Sequence, residues 1–283
     1  MLRIAALVLV VLIVVTAAAQ RARADDLPRE VIAHCVGCDL QGADLRGRDL
    51  HGIRLVGTDL ARADLRNADL HDAEFTGVDF RDAKFDGANL THVKFTGADL
   101  KGTSFAGATL TDVSLVGVRL DQATLEALGS ARGLLHSCVG CDLRGLVLRA
   151  KDLSGVTLTG VALRGSDLTQ TRFVQARIVG GDLQHVTAQG ADFTSAELVG
   201  TDLRDADLSG ASLRDAVVCT TDDGGDSAGR RIACIDLRGA NLAGTDLRGA
   251  RFCRDHDRDC RAVTADELRA IAHADLSAAR LAS

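Results

Sequence analysis

Tryptophan and tyrosine are absent from this chain of 283 residues, and proline and methionine occur once each. Bulky aromatics fill the core of an ordinary globule. A chain that is 46% hydrophobic without them must build a narrow interior, here from Leu and Ala. Positive charge is also short: 33 Lys and Arg stand against 39 Asp and Glu, a net charge of −6. An acidic surface argues against direct nucleic-acid binding, because phosphates are held by Lys and Arg. It leaves basic proteins or cations as partners. Catalytic signatures are missing too, with no Gly-rich phosphate loop, nucleophile elbow or metal-ligand spacing. No enzyme activity and no cofactor are expected. His34 and His136, each just before a Cys pair, read as surface residues.

What is present begins with an apolar run, Ile4 to Ala19, after the basic Arg3 and before the small-x-small site Ala22-Arg23-Ala24. These three parts read as a secretory signal peptide over residues 1–24, cleaved after Ala24. The run falls short of the roughly 20 residues that span a bilayer, so no stable membrane span is expected after cleavage. Arg21 and Arg23 after the run are atypical for a signal and leave an uncleaved anchor as the alternative. Removing Arg3, Arg21 and Arg23 leaves 30 basic against 39 acidic side chains, a balance of −9.

The rest is organised by a period of five. From Leu40 to Leu120 every fifth residue is Leu or Phe, seventeen times in succession. The residue two earlier is usually Ala, Val or Thr. Five fits neither the 3.6 of an α-helix nor the 2 of a strand, but it fits a chain that turns a corner every five residues. The large residue and the small one before it then point inward. Leu45, Leu65, Phe75, Phe95, Leu100, Leu153, Phe173, Phe193 and Leu203 are core positions of this frame. All eight Phe are central, and Phe75/Phe95, Phe85/Phe105 and Phe173/Phe193 are each twenty apart. Four segments per coil would stack each pair.

The A-(D/N)-L-x-x unit, as in Ala43-Asp44-Leu45-Arg46-Gly47 and Ala98-Asp99-Leu100-Lys101-Gly102, resembles the pentapeptide-repeat proteins over most of the chain. The resemblance implies an all-β, right-handed quadrilateral β-helix, a solenoid with short capping and connecting helices. Residues 25–120 form the first repeat segment with its N-terminal cap. Residues 121–137 break the frame and read as a connecting helix. Cys138-Val139-Gly140-Cys141-Asp142-Leu143 then repeats the opening Cys35-Val36-Gly37-Cys38-Asp39-Leu40. The second segment, 138–260, carries an insertion at 219–234, and 261–283 form a cap helix and tail. Within that cap, Thr264 and Glu267 make a capping-box signature.

Eight Cys in a chain with a leader point to disulfides. Local pairs are the expectation: Cys35–Cys38, Cys138–Cys141, Cys219–Cys234 and Cys253–Cys260, with zinc or redox roles as alternatives. Cys219-Thr220-Thr221-Asp222 also resembles a tail of exported members of the family. Asp255, Asp257 and Asp259 alternate as calcium ligands do, but the loop lacks Gly at its sixth position, and solvated acidic loop is the plainer reading.

Repeated outward Asp residues, among them Asp44, Asp64, Asp99, Asp167 and Asp202, would form ladders that bond turn backbone and keep the rod soluble. Ladders of carboxylate also resemble phosphates, and the family resemblance implies a second reading, a DNA-mimicking inhibitor of an enzyme such as gyrase, were the chain cytoplasmic. The expectation here is a secreted or periplasmic, non-catalytic structural or protein-interaction module with a protein partner. An uncapped coil end could also pair with a second copy, giving a homodimer.

Overall fold

The computed structural model describes residues 28–33, 35–127, 135–219, 237–248, 250–253, 260–261 and 278–280. The expected signal peptide lies outside these residues, as do the 220–233 insertion and the Thr264–His273 cap helix.

One sheet runs the length of the described chain. Its strands are β1 Arg54–Val56, β2 Glu74–Thr76, β3 Lys94–Thr96, β4 Ser114–Val116, β5 Ser137–Val139, β6 Thr157–Thr159, β7 Arg177–Val179, β8 Glu197–Val199, β9 Val217–Cys219, β10 Arg251–Cys253 and β11 Cys260–Arg261. They lie side by side in sequence order. Pairing is parallel and in register from β1 to β10, with Leu55 on Phe75 and Phe75 on Phe95. The other three faces of each coil pair through single bridges at the same step of twenty, such as Asp39 on Asp59, Asp44 on Asp64 and Asp49 on Asp69. The molecule is thus a four-sided β-solenoid with little helix.

The frame explains why. In each segment the central side chain and the one two before it point inward, and all nine core positions named above are at most 1% exposed. Each buried Leu contributes roughly 1.5–3 kcal/mol relative to exposure, so dozens of them stabilise the stack although each is locally supported only by neighbouring coils. The Phe pairs stack as the twenty-residue spacing requires: ring centroids are 5.1 Å apart in Phe85/Phe105 and 5.0 Å in Phe173/Phe193, and 5.3 Å and tilted in Phe75/Phe95. Hydroxyls in the small inward position do not go unpaired. The buried Ser166, Thr171 and Thr245 each donate to a carbonyl of the preceding coil, those of Leu143, Leu148 and Leu208, at 2.8–2.9 Å.

Corners need the left-handed backbone, and not only Gly supplies it. Arg62 has φ 61° and Ala150 φ 55°, although such a conformation costs an L-residue about 1–2 kcal/mol.

The first coil is closed by α1, Arg29–Ile32. Ile32 is buried against the end of the core, and Arg29 donates to the His51 carbonyl.

At the frame break the sheet does not stop. Leu115 pairs with Cys138, a step of 23 in place of twenty, and the bridge row passes from Asp99 through Arg119 to Asp142. The two repeat runs therefore share one sheet. The extra residues accommodate α2, Gln122–Ala127, which occupies part of one coil. Val147 directs its N–H and C=O toward that coil, where other coils offer a backbone. Here the Gln122 amide replaces it: Oε1 accepts from Val147 N–H at 2.8 Å, and Nε2 donates to Val147 O at 3.3 Å. Asp121 holds the start of α2, its Oδ1 accepting from the Thr124 N–H at 2.9 Å and from the Gly102 N–H at 3.1 Å. Burial raises the Asp121 pKa, but these N–H groups and the Thr124 hydroxyl outweigh it and hold the carboxyl below its usual range.

Candidate interaction faces

On the three faces outside the sheet, many corners are tied by a carboxylate or amide that precedes the central residue. Asp39, Asp59, Asp79, Asp152, Asp192 and Asn241 all accept, through Oδ1, the N–H two residues on, at 2.9–3.1 Å. This is the Asx turn, in which a short polar side chain substitutes for a backbone turn bond. Parallel stacking then lines these residues up. One row reads Asp39, Asp59, Asp79, Asp99, Arg119, Asp142, Ala162, Asp182, Asp202.

The row is not a bare line of negative charge. Arg81 forks onto Asp79, Arg144 onto Asp142 and Arg204 onto Asp202, each two residues away, while Arg119 reaches Asp99 and Arg164 reaches Asp182 from neighbouring coils. The same holds on the next row, where Arg46 pairs with Asp44 and Arg66 with Asp64. The side-chain bond from Arg46 holds Asp44 at a pKa of about 2. Asp167 is also lowered to about 2, by the Thr169 hydroxyl first and then by Arg149. Asp246 sits at about 2 through Arg248. Each of these carboxylates stays ionised and turned toward its own corner.

A third row carries His. His51 and His71 stack at 5.0 Å, each with Nδ1 on the preceding Asp, 2.5 Å to Asp49 and 2.7 Å to Asp69. The Asp69 carboxylate holds His71 above its ordinary range. Sequence reasoning passed over this pair, though the step of twenty would have found it. His136 is exposed, and His34 lies outside the described residues.

The sheet face differs from the others. Its first residues alternate in charge, Arg54, Glu74, Lys94 and later Arg177, Glu197, with Arg54 3.3 Å and Lys94 3.1 Å from Glu74 and Arg177 paired to Glu197. Its third residues are all Val or Thr from Val36 to Val199.

Cys35 and Cys38 lie at disulfide distance, with Cα atoms 5.7 Å apart, and so do Cys138 and Cys141 at 6.0 Å, both within the usual 4.4–6.8 Å. Cys234 lies outside the described residues, as do Asp255, Asp257 and Asp259. The backbone adds an arrangement not read from the sequence: Cys219 is in register with Cys253, and Cys253 is in register with Cys260 on the antiparallel β11. Three Cys thus share one row of three adjacent strands. Among the described residues no cluster of His, Cys, Asp or Glu can hold a metal ion, and no helix is long and apolar enough to cross a membrane.

The pentapeptide repeat region family matches residues 33–105, and the pentapeptide repeats (8 copies) family matches 88–126, 137–175, 179–215 and 234–254. The chain belongs to the pentapeptide-repeat family. Solved structures similar to this pentapeptide-repeat protein include HetL from the cyanobacterium Nostoc, described as involved in heterocyst differentiation regulation. It is 23% identical over 87% of this chain and 84% of that one, with a TM-score of 0.27. Full-length QnrB1, a plasmid-mediated fluoroquinolone resistance protein, is 18% identical over 87% and 90%, with a TM-score of 0.25. A pentapeptide repeat protein of the Arabidopsis thaliana thylakoid lumen is 24% identical over 54% and 69%, with a TM-score of 0.13. At these identities the likeness concerns the fold alone. No curated protein matches the chain significantly.

Proposed function

We propose that this pentapeptide-repeat protein is an exported, non-catalytic scaffold that binds a protein partner through rows of polar side chains held at fixed pitch. The observation that carries the reading is the pairing of its charges. A nucleophile or general base needs a side chain free to exchange a proton with a substrate, whereas the ladder carboxylates named above are engaged by Arg and by turn N–H groups. The same pairing weakens the DNA-mimic reading, because a stand-in for phosphates must present uncompensated negative charge. Export is supported by the leader-like residues 1–24 and by two Cys-x-x-Cys pairs at disulfide distance. The rigid core contributes preorganisation: a partner that binds a fixed array meets little ordering cost on this side.

The test is the intact mass, without reductant, of the protein recovered from its own cell. A chain that begins at Asp25 and is lighter by two hydrogens per bridge supports the reading. A full-length, fully reduced chain in the cytoplasm would end it and return the carboxylate rows to the foreground.

A further inference from the structure

The sheet face is built unlike the other three. After each strand from β1 to β8 the corner residue is Gly: Gly57, Gly77, Gly97, Gly117, Gly140, Gly160, Gly180 and Gly200, all with φ near 60°. The other corners carry side chains in the same conformation, such as Arg62, Asn67 and Asp72, so freedom of φ alone does not require Gly here. The face therefore has a row without side chains beside a row of Val and Thr. Val56, Val116 and Val139 in that row are 45%, 37% and 42% exposed.

The third row decides what covers it. Read from β1 to β8, the first residues are Arg54, Glu74, Lys94, Ser114, Ser137, Thr157, Arg177 and Glu197. Turned over about a two-fold axis that runs along the strands between β4 and β5, this order meets itself in reverse. Arg54 then faces Glu197 of a second copy, Glu74 faces Arg177, Lys94 faces Thr157, and Ser114 faces Ser137. The same rotation sets Val56 on Val199, Thr76 on Val179, Thr96 on Thr159 and Val116 on Val139, with Gly rows opposed. A slip of one strand either way opposes Arg54 to Arg177, or Glu74 to Glu197 and Lys94 to Arg177. Against a slip of one strand either way, only the central register is free of like-charge contacts, and it is the one that overlaps all eight strands while opposing Arg54 to Glu197 and Glu74 to Arg177; parallel copies would bring different rows together. Like charges face to face cost several kcal/mol, so one register is selected. Self-complementarity of this kind is what an isologous two-fold interface requires.

We propose that two copies of this chain pack sheet face to sheet face, antiparallel, in this register. The proposal stands whether or not the scaffold is exported, and it leaves the three Asx-turn faces for other partners. With strands ~4.8 Å apart and ~3.3 Å per residue, the eight-strand, four-residue strip covers about 500 Å² per copy. Some 1,000 Å² in total is at the low end for a specific interface, so the dimer is weak and concentration-dependent.

Sedimentation velocity on the purified full chain, from low micromolar to near-millimolar concentration, tests this with three variants. The double substitution Arg177→Glu with Glu197→Arg preserves an ion pair within the copy but opposes like charges across the axis, and weakens dimerisation by about tenfold or more. Adding Arg54→Glu and Glu74→Arg restores complementarity, and the dimer returns to within about threefold of the original. Val116→Asp, at an exposed site beside the axis, abolishes it. Circular dichroism and thermal midpoints of the variants are matched to the parent, so that loss of fold is not mistaken for loss of contact. A chain that stays monomeric throughout overturns the proposal. So does a dimer indifferent to the double reversal and to Val116→Asp, and a four-residue reversal that fails to recover overturns the register.

Discussion

Gln122 completes the backbone pairing of Val147 where the two repeat runs meet, and its removal should be felt at one amide. In Gln122→Ala, Val147 loses the partners of both its N–H and its C=O. A typical intramolecular hydrogen bond contributes about 0.5–1.5 kcal/mol net. Water can reach this site, which puts the pair at the lower part of its range, about 1–2 kcal/mol together. Local opening then becomes roughly tenfold more frequent, since about 1.4 kcal/mol is a factor of ten. Native-state hydrogen exchange reads this residue by residue. The Val147 amide should exchange about tenfold faster, while the Leu148 amide, bonded to the Asp167 carbonyl on the far side at 2.8 Å, should stay close to its original rate. Gln122→Glu should be worse at neutral pH, because a carboxylate would face both the Val147 carbonyl and Glu126, which now accepts from Nε2 at 3.0 Å. Acidification should relieve it as the introduced carboxylate takes up a proton. Equal rates at Val147 in the parent and in Gln122→Ala would refute the claim that a side-chain amide completes the sheet here.

Other predictions are simpler. Leu65→Asp buries a charge with no partner and should destabilise the rod by several kcal/mol, whereas Arg66→Asp on the surface should cost under about 1 kcal/mol; similar urea midpoints would overturn the inward and outward assignment. Asp44, Asp167 and Asp246 are held at about 2 in the folded chain against the ordinary 3.8 of a free Asp. Their stabilisation is therefore present above pH 4 and lost as pH falls through 2. The thermal midpoint should drop over that window, and Asp167→Asn should flatten the drop; an unchanged slope would count against the pairing. Ala150→Gly, relieving a left-handed Ala, should leave stability level or raise it by up to about 1 kcal/mol, reversing the usual penalty in chemical denaturation. Non-reducing peptide mapping should find Cys253 bridged to a neighbour in its row, Cys260 or Cys219; a Cys253 joined to neither would contradict the strand register.

The fold was readable because its signal is redundant. A Leu or Phe such as Leu45 or Phe95 recurs at a fixed step, and each occurrence repeats the same instruction to turn and bury. The Phe spacings carried the next level, four segments per coil, since Phe85 and Phe105 touch only if twenty residues make one turn. What could not be read is what depends on single residues. Gln122 lies in a short helical stretch whose pattern says nothing about Val147, 25 residues on. The reversed β11 rests on a Cys-bracketed segment that gives no strand signal. The ladders of Asp were legible as ladders, but their neutralisation was not: Arg81 beside Asp79 is local, while Arg119 on Asp99 and Arg149 on Asp167 are found only after the coils are stacked. The alternation of Arg54, Glu74 and Lys94 is likewise invisible along the chain.

A parallel stack has no natural last member, since the top of each coil is a template for another, and a periodic sequence alone would leave length control to chance. Two features of the described chain depart from that periodicity. At one end Ile32 of α1 sits over the core in place of a further coil. At the other, β11 runs against β10 and gives the sheet face an edge of opposite polarity, while Arg280 still pairs in parallel with Asp246 on another face. Among the described residues, the rows between α1 and β11 therefore read as divisions at one pitch. Whatever reads those faces meets its marks at a fixed pitch.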